Sequence, residues 1–380
     1  MHIVTQKSEL ASQLSFVSGA SDSRGTVPML GTVLIKAMPD GKVSLLCSDT
    51  GMVARALANC QVAKEGEIAV DARRFGDLIR AIGDNKQSID IALEATGDNQ
   101  HVMVLKSGRS RFRLPTLPAA DYPRMIPEKA NRMTIAMSGD RIGQMIEEVS
   151  SAMAVNDVRA FLNGVLVSLN ADGLWFVGTD GHRLCVAFEP IDGADRLPPT
   201  SVIVPRKTIL LARKLVSGEG SVKLTIGPKD IQFTLESGTI ILGKGMDGAY
   251  PDFKRILPKT TRSASFSASQ FKDALLLVKA GMDAAPAQDT KMKNRIDLTI
   301  GGSNAVLQHG EDARCDLECT SDSPDTTMMA FNVSYLCDAA EVVASTGEKL
   351  AIGYDPNGNA VCLRPEGKDY PLCVVMALRA

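Results

Sequence analysis

Apolar positions along the chain alternate between two periods, and the alternation itself repeats. Three segments carry apolar residues at i, i+3 or i+4 and i+7, the spacing of one helical face: Leu10, Leu14 and Val17; Ile142, Met145, Ile146 and Val149; Phe271, Leu275, Val278 and Met282. Their leading residues lie about 130 positions apart, which makes the repeat the first fact to explain. Behind the first two helices come paired period-two runs joined at a turn, Val33-Leu34 to Asp40-Gly41 and Val165-Leu166 to Asp172-Gly173. A second helix is predicted to begin near Ala72-Arg73-Arg74-Phe75, near Pro205-Arg206-Lys207 and near Val333-Ser334-Tyr335. Each unit closes on alternating strands and a Tyr-Pro: Tyr122-Pro123, Tyr250-Pro251 and Tyr370-Pro371. The expected organisation is three domains, 1–128, 129–260 and 261–380, linked through 127–131 and 259–262. Two helices and roughly eight strands per domain predict an α+β class, with helices gathered on one face of antiparallel sheets. Equivalent domains in a row can repeat one rotation at every junction and so close into a ring, as a monomer or as a dimer.

Composition narrows the function classes. A chain of 380 residues, 44% hydrophobic and 23% charged, can bury substantial cores. Lys plus Arg number 42 against 44 for Asp plus Glu, a net charge of -2, which excludes a uniformly basic DNA-wrapping surface but leaves room for a local stripe. The opening residues Met1 to Lys7 lack a basic region followed by an apolar run, and no stretch reaches bilayer-spanning length; a cytoplasmic protein without a membrane partner is expected. The eight cysteines are scattered, with Cys315 and Cys319 the one close pair, and are expected to be reduced core thiols.

Three motifs suggest chemistry and are poorly supported by their surroundings. Gly238 to Lys244 fits the first seven positions of a phosphate-binding loop, but Gly245 stands where a Ser or Thr must reach magnesium, and Thr239-Ile240-Ile241-Leu242 is strand-like. Gly243 to Gly248 fits G-x-G-x-x-G, yet Tyr250-Pro251 breaks the helix that such a motif must open. Asp180, His182 and Cys185 offer a carboxylate, a base and a nucleophile, but the four histidines form no close ligand pair, and a turn histidine is the plainer reading. No cofactor is expected. The alternative function is a soluble nucleotide-binding enzyme that uses the Gly238–Gly248 segment.

Five stretches carry a resemblance that spans the whole chain: Ser107-Gly108-Arg109-Ser110-Arg111-Phe112, Thr116 to Pro123, Thr179-Asp180-Gly181-His182-Arg183-Leu184, Val204-Pro205-Arg206-Lys207 and Phe331-Asn332-Val333-Ser334-Tyr335. In order and spacing they resemble the bacterial DNA polymerase III beta subunit family, the replication sliding clamps. The resemblance implies a non-catalytic processivity ring, a head-to-tail homodimer of three-domain subunits with an inner layer of twelve helices and an outer wall of sheets. At about 8 to 10 Å between helices, such a layer has a circumference of about 100 to 120 Å and passes a duplex. The implied partners are double-stranded DNA, a second copy of the chain, the replicative polymerase catalytic subunit, the clamp loader, and other polymerases and repair proteins that carry short clamp-binding peptides.

A ring that slides must touch phosphates loosely and without base readout. Long basic side chains opposite the helical core stripes suit this: Arg73, Arg74 and Arg80; Arg206, Lys207, Arg213 and Lys214; Lys272 and Lys279. The resemblance adds Arg24. The 4% aromatic content, with a single Trp175, gives no stacking platform for single strands. The helix from Val333 to Val343 has no Lys or Arg. Subunits are expected to meet through Phe112 and Leu114 of domain 1 and the helix of domain 3 around Leu276 to Met282. The resemblance also maps a peptide groove onto Arg159, Phe161, Leu162, Thr179, Gly181, His182, Arg183, Leu184, Pro251, Arg255, Ile256 and Tyr335, with the tail Val374, Val375, Met376, Ala377, Leu378 and Arg379. Two positions depart from the family pattern: Ala377-Leu378 stands where Pro-Met is common, and Phe161 replaces a tyrosine.

Overall fold

The computed structural model describes residues 1–22, 25–83, 87–97, 101–127, 131–284 and 294–378. Six helices form where they are predicted, α1 (Lys7–Ser18), α2 (Ala72–Ala81), α3 (Gly139–Ser150), α4 (Arg206–Val216), α6 (Ala268–Ala284) and α7 (Val333–Ala344), and a single turn not foreseen from the sequence, α5 (Phe253–Ile256), lies between α4 and α6. Leu10, Leu14 and Val17 are buried on α1, as are Ile142, Met145, Ile146 and Val149 on α3 and Phe271, Leu275 and Val278 on α6. Two of the second helices start on side-chain caps. Asp71 Oδ1 accepts the Arg74 backbone N–H at 2.7 Å, and Asn332 Oδ1 accepts that of Ser334 at 3.0 Å.

The three sequence repeats do not stay separate. Contacts group the chain into two compact units, Met1–Gly143 with Lys207–Gly245, and Gln144–Arg206 with Met246–Ala380. The cause is sheet pairing. In the first unit one antiparallel sheet of 13 strands begins Met133–Ser138, Ser221–Ile226, Asp230–Leu235, Ile240–Lys244 and passes directly to Met52–Asn59, Lys42–Ser48, Thr32–Met38 and Gly66–Asp71. It then continues through Ser110–Leu117, His101–Ser107, Ser88–Ala95 and His2–Gln6 to Gln61–Lys64. The seam is the register Ile240↔Arg55 to Gly243↔Met52.

The second unit repeats the device. Its nine-stranded sheet runs Thr200–Pro205, Gly164–Asn170, Gly173–Thr179, Arg183–Glu189, then crosses to Leu372–Met376, Ala360–Pro365, Lys349–Tyr354, Arg262–Ser267 and Thr320–Ser321. The seam here is Arg183↔Val375 to Val186↔Leu372. A four-stranded sheet, Ala313–Glu318, Asn304–His309, Arg295–Gly301 and Thr327–Asn332, completes this unit. The middle repeat therefore gives half its strands to each sheet.

Small residues let helices settle on these sheets. A Cβ on Gly178 would stand 2.4 Å from the Val149 carbonyl oxygen of α3, and one on Gly243 2.4 Å from Thr208 Cγ2 of α4. The Tyr-Pro closures also have a structural use. Tyr122 is 3% exposed, and its hydroxyl reaches the carbonyls of Thr32 and Leu46 at 3.1 and 3.2 Å; the Tyr250 hydroxyl donates to Val177 at 3.0 Å. Both tie the end of a repeat to its central strands.

Gly178→Ala should accordingly push α3 off its sheet and cost about 1 to 3 kcal/mol. Urea unfolding followed by the lone Trp175 measures it. Gly220→Ala, where a Cβ meets nothing within 4 Å, should leave the midpoint unchanged.

Candidate peptide groove and basic helices

The turn between Gly173–Thr179 and Arg183–Glu189 is held by its own side chains. Gly181 takes φ 90, a conformation that favours glycine. Asp180 Oδ1 accepts the backbone N–H groups of His182 and Arg183 at 2.9 and 3.1 Å, and Thr179 Oγ1 donates to the Arg183 carbonyl at 2.6 Å. Arg183 then links the turn to α7. Its Nε donates to Asp180 Oδ2 at 3.1 Å, its Nη1 bonds the Asp338 carboxylate, and its guanidinium lies 4.5 Å over the Tyr335 ring. The His182 ring stacks on Tyr335 at 6.2 Å.

A second arm comes from the loop ahead of Ala160–Leu162. Arg159 makes a bidentate pair with Asp157 at 3.0 and 2.9 Å and donates to the Asp180 carbonyl at 3.2 Å. The Arg159 side chain and then its backbone N–H hold the Asp157 carboxyl down at about 2, so this clasp stays ionised through the ordinary carboxylate range and loosens only as pH falls toward 2. Phe161 packs beside Gly248, where a Cβ would come within 3.1 Å of the phenylalanine Cβ. Leu162, Thr179 and Leu184 are 1%, 3% and 2% exposed, so they support this surface from beneath. Pro251 is half-buried, while Arg255 and Ile256 are exposed on α5.

The tail is an interior strand. Val374 and Val375 are buried between two neighbours, and a cut before Val375 would remove sheet core along with any groove wall. Only beyond it does the chain offer surface: Met376 is 43% and Leu378 41% exposed. Backbone bonds from Met376 to His182 at 3.0 Å and from Leu378 to Ala330 at 2.7 Å fasten this end. The structure thus brings the predicted turn, Tyr335 and tail into one neighbourhood. Arg379 lies outside the described residues. Asp157 and Asp338, which position the two arginines, escaped the sequence reading; Asp157 sits two residues from Arg159, a legible spacing, whereas nothing local marks Asp338.

The basic helical residues differ in their surroundings. Arg73 and Arg74 are exposed on α2. Four others are engaged by nearby carboxylates: Arg80 by Asp77, Lys207 by Asp49 at 2.6 Å, Lys272 by Glu341 at 2.6 Å and Lys279 by Asp283 at 3.4 Å. Arg206 opens α4, and Arg213 and Lys214 lie in its last turn. Arg24 lies outside the described residues. On α2 the core stripe is Ala72, Phe75, Gly76 and Ile79, so Leu78 and Ile82 are only half-buried.

The expected subunit contacts divide similarly. Phe112 and Leu276 are 36% and 47% exposed, and Leu277 reaches 67%. Leu114 at 6% and Met282 at 9% are mostly occupied by cores of their own units.

The misleading motifs resolve structurally. Ile240–Lys244 is a strand, and Gly243 makes room for Thr208 rather than for phosphate. Asp180 caps a turn, His182 stacks on Tyr335, and Cys185 faces Cys373 at 3.0 Å inside the sheet. Contact with Cys185 and burial hold the Cys373 thiol well above its ordinary value, and burial pushes Cys362 up to about 11.

Residues 1–126 match the family model for the DNA polymerase III beta subunit N-terminal domain, and residues 136–252 match that for its central domain. The chain is 34% identical over 386 residues to a beta sliding clamp of Pseudomonas putida, covering 100% of both, and 32% identical over 361 residues to that of Escherichia coli, covering 93% of both. A crystal structure of a Pseudomonas aeruginosa sliding clamp bound to griselimycin superposes with a TM-score of 0.89 at 28% identity over 100% of each chain.

The placement of Cys185 and Cys373 makes them inert. At pH 8 a colorimetric disulfide reagent should label half-exposed Cys315 before either, and both should react only on unfolding. Rapid labelling of Cys185 in the folded chain would contradict this and revive thiol chemistry at the turn.

Proposed function

The chain belongs to the DNA polymerase III beta subunit family, and on that premise we propose that two copies close head to tail into a ring around duplex DNA and tether a replicative polymerase there. Like its relatives it is a non-catalytic processivity factor, acting in the cytoplasm without a cofactor. Among the described residues no helix is long and apolar enough to cross a membrane.

One observation carries the ring. Both seams join the closing strand of one repeat to the equivalent central strand of another: Ile240–Lys244 to Met52–Asn59, and Leu372–Met376 to Arg183–Glu189. By the same rule the first repeat's closing strand, Ser110–Leu117, and the third repeat's Ala313–Glu318 are left over. Among the described residues, Ser110 to Pro115 pairs only with His101–Ser107, and Ala313–Glu318 only with Asn304–His309. Unpaired strand edges are templates for another chain. The first carries Arg111 and Arg113, with Arg111 held by Glu94; the second carries Arg314, Asp316 and Glu318, with Asp316 held by Arg314. A second copy satisfies both edges at once, with exposed Phe112, Leu276 and Leu277 beside them. We place the domain limits at 1–128, 129–260 and 261–380 because each then holds one closing strand.

The basic residues Arg73, Arg74, Arg80, Arg206, Lys207, Arg213, Lys214, Lys272 and Lys279, with Arg24, supply the sequence-independent field for DNA. The turn at Thr179–Arg183, Arg159, Phe161, Ile256 and Tyr335, with Met376 and Leu378, form the groove for short hydrophobic peptides of the polymerase, the clamp loader and other replication and repair proteins. Exposed apolar anchors flanked by fixed polar groups suit that role. Ala377, Leu378 and Phe161 set its preference, through a smaller, less polar wall than Pro-Met and tyrosine would make.

Two outcomes test this reading. Phe112→Asp with Leu277→Asp should convert dimers to monomers in sedimentation and abolish retention on circular DNA; an unchanged dimer would relocate the interface. Deleting residues 377–380, which spares the interior strand, should weaken a polymerase-derived peptide roughly tenfold or more in fluorescence polarisation, the effect of losing one buried anchor. Undiminished binding would place the groove elsewhere.

A further inference from the structure

Cys185 and Cys373 stand directly opposite each other where the last strand meets Arg183–Glu189, and their sulfurs are 3.0 Å apart inside the sheet. The proposed ring, its DNA and its peptides make no use of either thiol. We propose that this pair is a reversible staple: a small disulfide oxidant joins the two sulfurs and so bonds Leu372–Met376 covalently to the base of the groove. The staple rests on the strand pairing alone, and only its consequence for peptide binding rests on the proposed groove.

Geometry selects a disulfide. Directly opposed residues of an antiparallel pair hold their Cα atoms about 4.5 or 5.5 Å apart, and a disulfide takes Cα separations of about 4.4 to 6.8 Å. Bond formation therefore asks the sulfurs to move about 1 Å closer, with no shift of register. The pair is too close to flank a metal ion, whose tetrahedral bonds of about 2.3 Å would spread two sulfurs to about 3.8 Å. Nor does the cysteine of the neighbouring strand compete. Cys362 lies opposite Val374 and packs with Val374 and Leu184 on the other face of the sheet, while Leu363 is the residue opposite Cys373 on that side.

Burial decides when the reaction takes place. Cys185 is 3% exposed and Cys373 0%. Contact with Cys185, and then burial, holds the Cys373 thiol above its ordinary value. The docked pair is therefore closed to external reagents, and exchange waits for a local opening in which the last strand leaves its two neighbours. Cys373, now in water, loses its proton and attacks one sulfur of the oxidant, forming a mixed disulfide and releasing one small thiolate. As the strand returns, Cys185 gives its proton to that thiolate and attacks the Cys373 sulfur. The cross-strand bond forms and the second small thiolate leaves, taking up the proton that Cys373 lost. Two electrons pass from the protein dithiol to the oxidant, and excess small thiol reverses the sequence. Because the bond joins residues 188 apart in sequence, it confines the opened and unfolded chain.

The test uses the full chain in defined mixtures of oxidised and reduced glutathione, followed by alkylation and peptide mapping by mass spectrometry. A peptide linked through Cys185 and Cys373 should form ahead of any other pair, faster in sub-denaturing urea, and disappear on reduction. The linked chain should melt roughly 5 to 10 °C higher by Trp175 fluorescence. Cys185→Val and Cys373→Val, each checked for folding by its own melt, should lose that shift. A polymerase-derived peptide followed by polarisation should stay bound to the linked chain at a urea concentration that releases it from the reduced chain. Linkage to a different cysteine, no link in glutathione that oxidises a denatured control, a lowered melting temperature, or a shift that survives in the valine variants overturns the staple. A link that forms and raises the melting temperature while the peptide binds neither form sustains the staple and removes the groove reading instead.

Discussion

Four paired positions, Arg183↔Val375, Leu184↔Val374, Cys185↔Cys373 and Val186↔Leu372, fasten the last strand of the chain to a strand almost 190 residues earlier, and the candidate groove depends on them. Strand pairing fixes register, and a slip by one residue would turn every side chain to the other face. Here register puts Leu184 and Val374 into one cluster with Trp175, Val177 and Phe253. It also delivers Met376 to the His182 carbonyl. The turn at Thr179–Arg183 and the exposed end of the tail thus share one rigid base. A groove built on strand ends needs little loop ordering when a peptide arrives, which is where binding otherwise loses free energy.

Electrostatics is organised on the opposite principle. At the turn one charge is locked: Arg183, only 13% exposed, spans Asp180 and Asp338, while Arg159, 49% exposed, bonds Asp157 and the Asp180 carbonyl. Along the basic helices, long side chains keep partial solvent exposure, and several share their charge with one carboxylate. Lys272 is 33% exposed and Lys279 39%. Exposed pairs of this kind contribute about 0 to 1 kcal/mol and are easily exchanged. Rigid charges suit a site that must fix the direction of a peptide. Exchangeable ones suit a surface along which phosphates must pass without catching.

The sequence carried the helices and the repeat because both are local signals. Leu10, Ile142 and Phe271 announce their helices by period alone, and Asp71 and Asn332 stand where caps belong. What period cannot convey is which strand lies beside which. The division of the middle repeat between two sheets, and the interior position of Leu372–Met376, follow from pairings across 130 residues or more. For the same reason exposed and buried members of a predicted interface could not be separated: Phe112 and Leu114 share one face of a strand, and only the fold decides that Leu114 is covered while Phe112 stays 36% exposed. The carboxylate partners show the same limit. Asp77 and Asp283 lie within one helical turn of Arg80 and Lys279, but Asp49 and Glu341 reach Lys207 and Lys272 only through the fold.

The third repeat's second helix now has a reason for lacking Lys and Arg. α7 packs against α6, and its Glu341 takes Lys272 while Asp338 takes Arg183. Its acidic residues serve neighbours on both sides: one steadies a cation of the basic surface, the other anchors the turn of the groove. Substituting basic residues there would add positive field but release Lys272 and leave Arg183 with Asp180 as its remaining carboxylate partner. A helix placed between Lys272 and Arg183 serves both better acidic than basic.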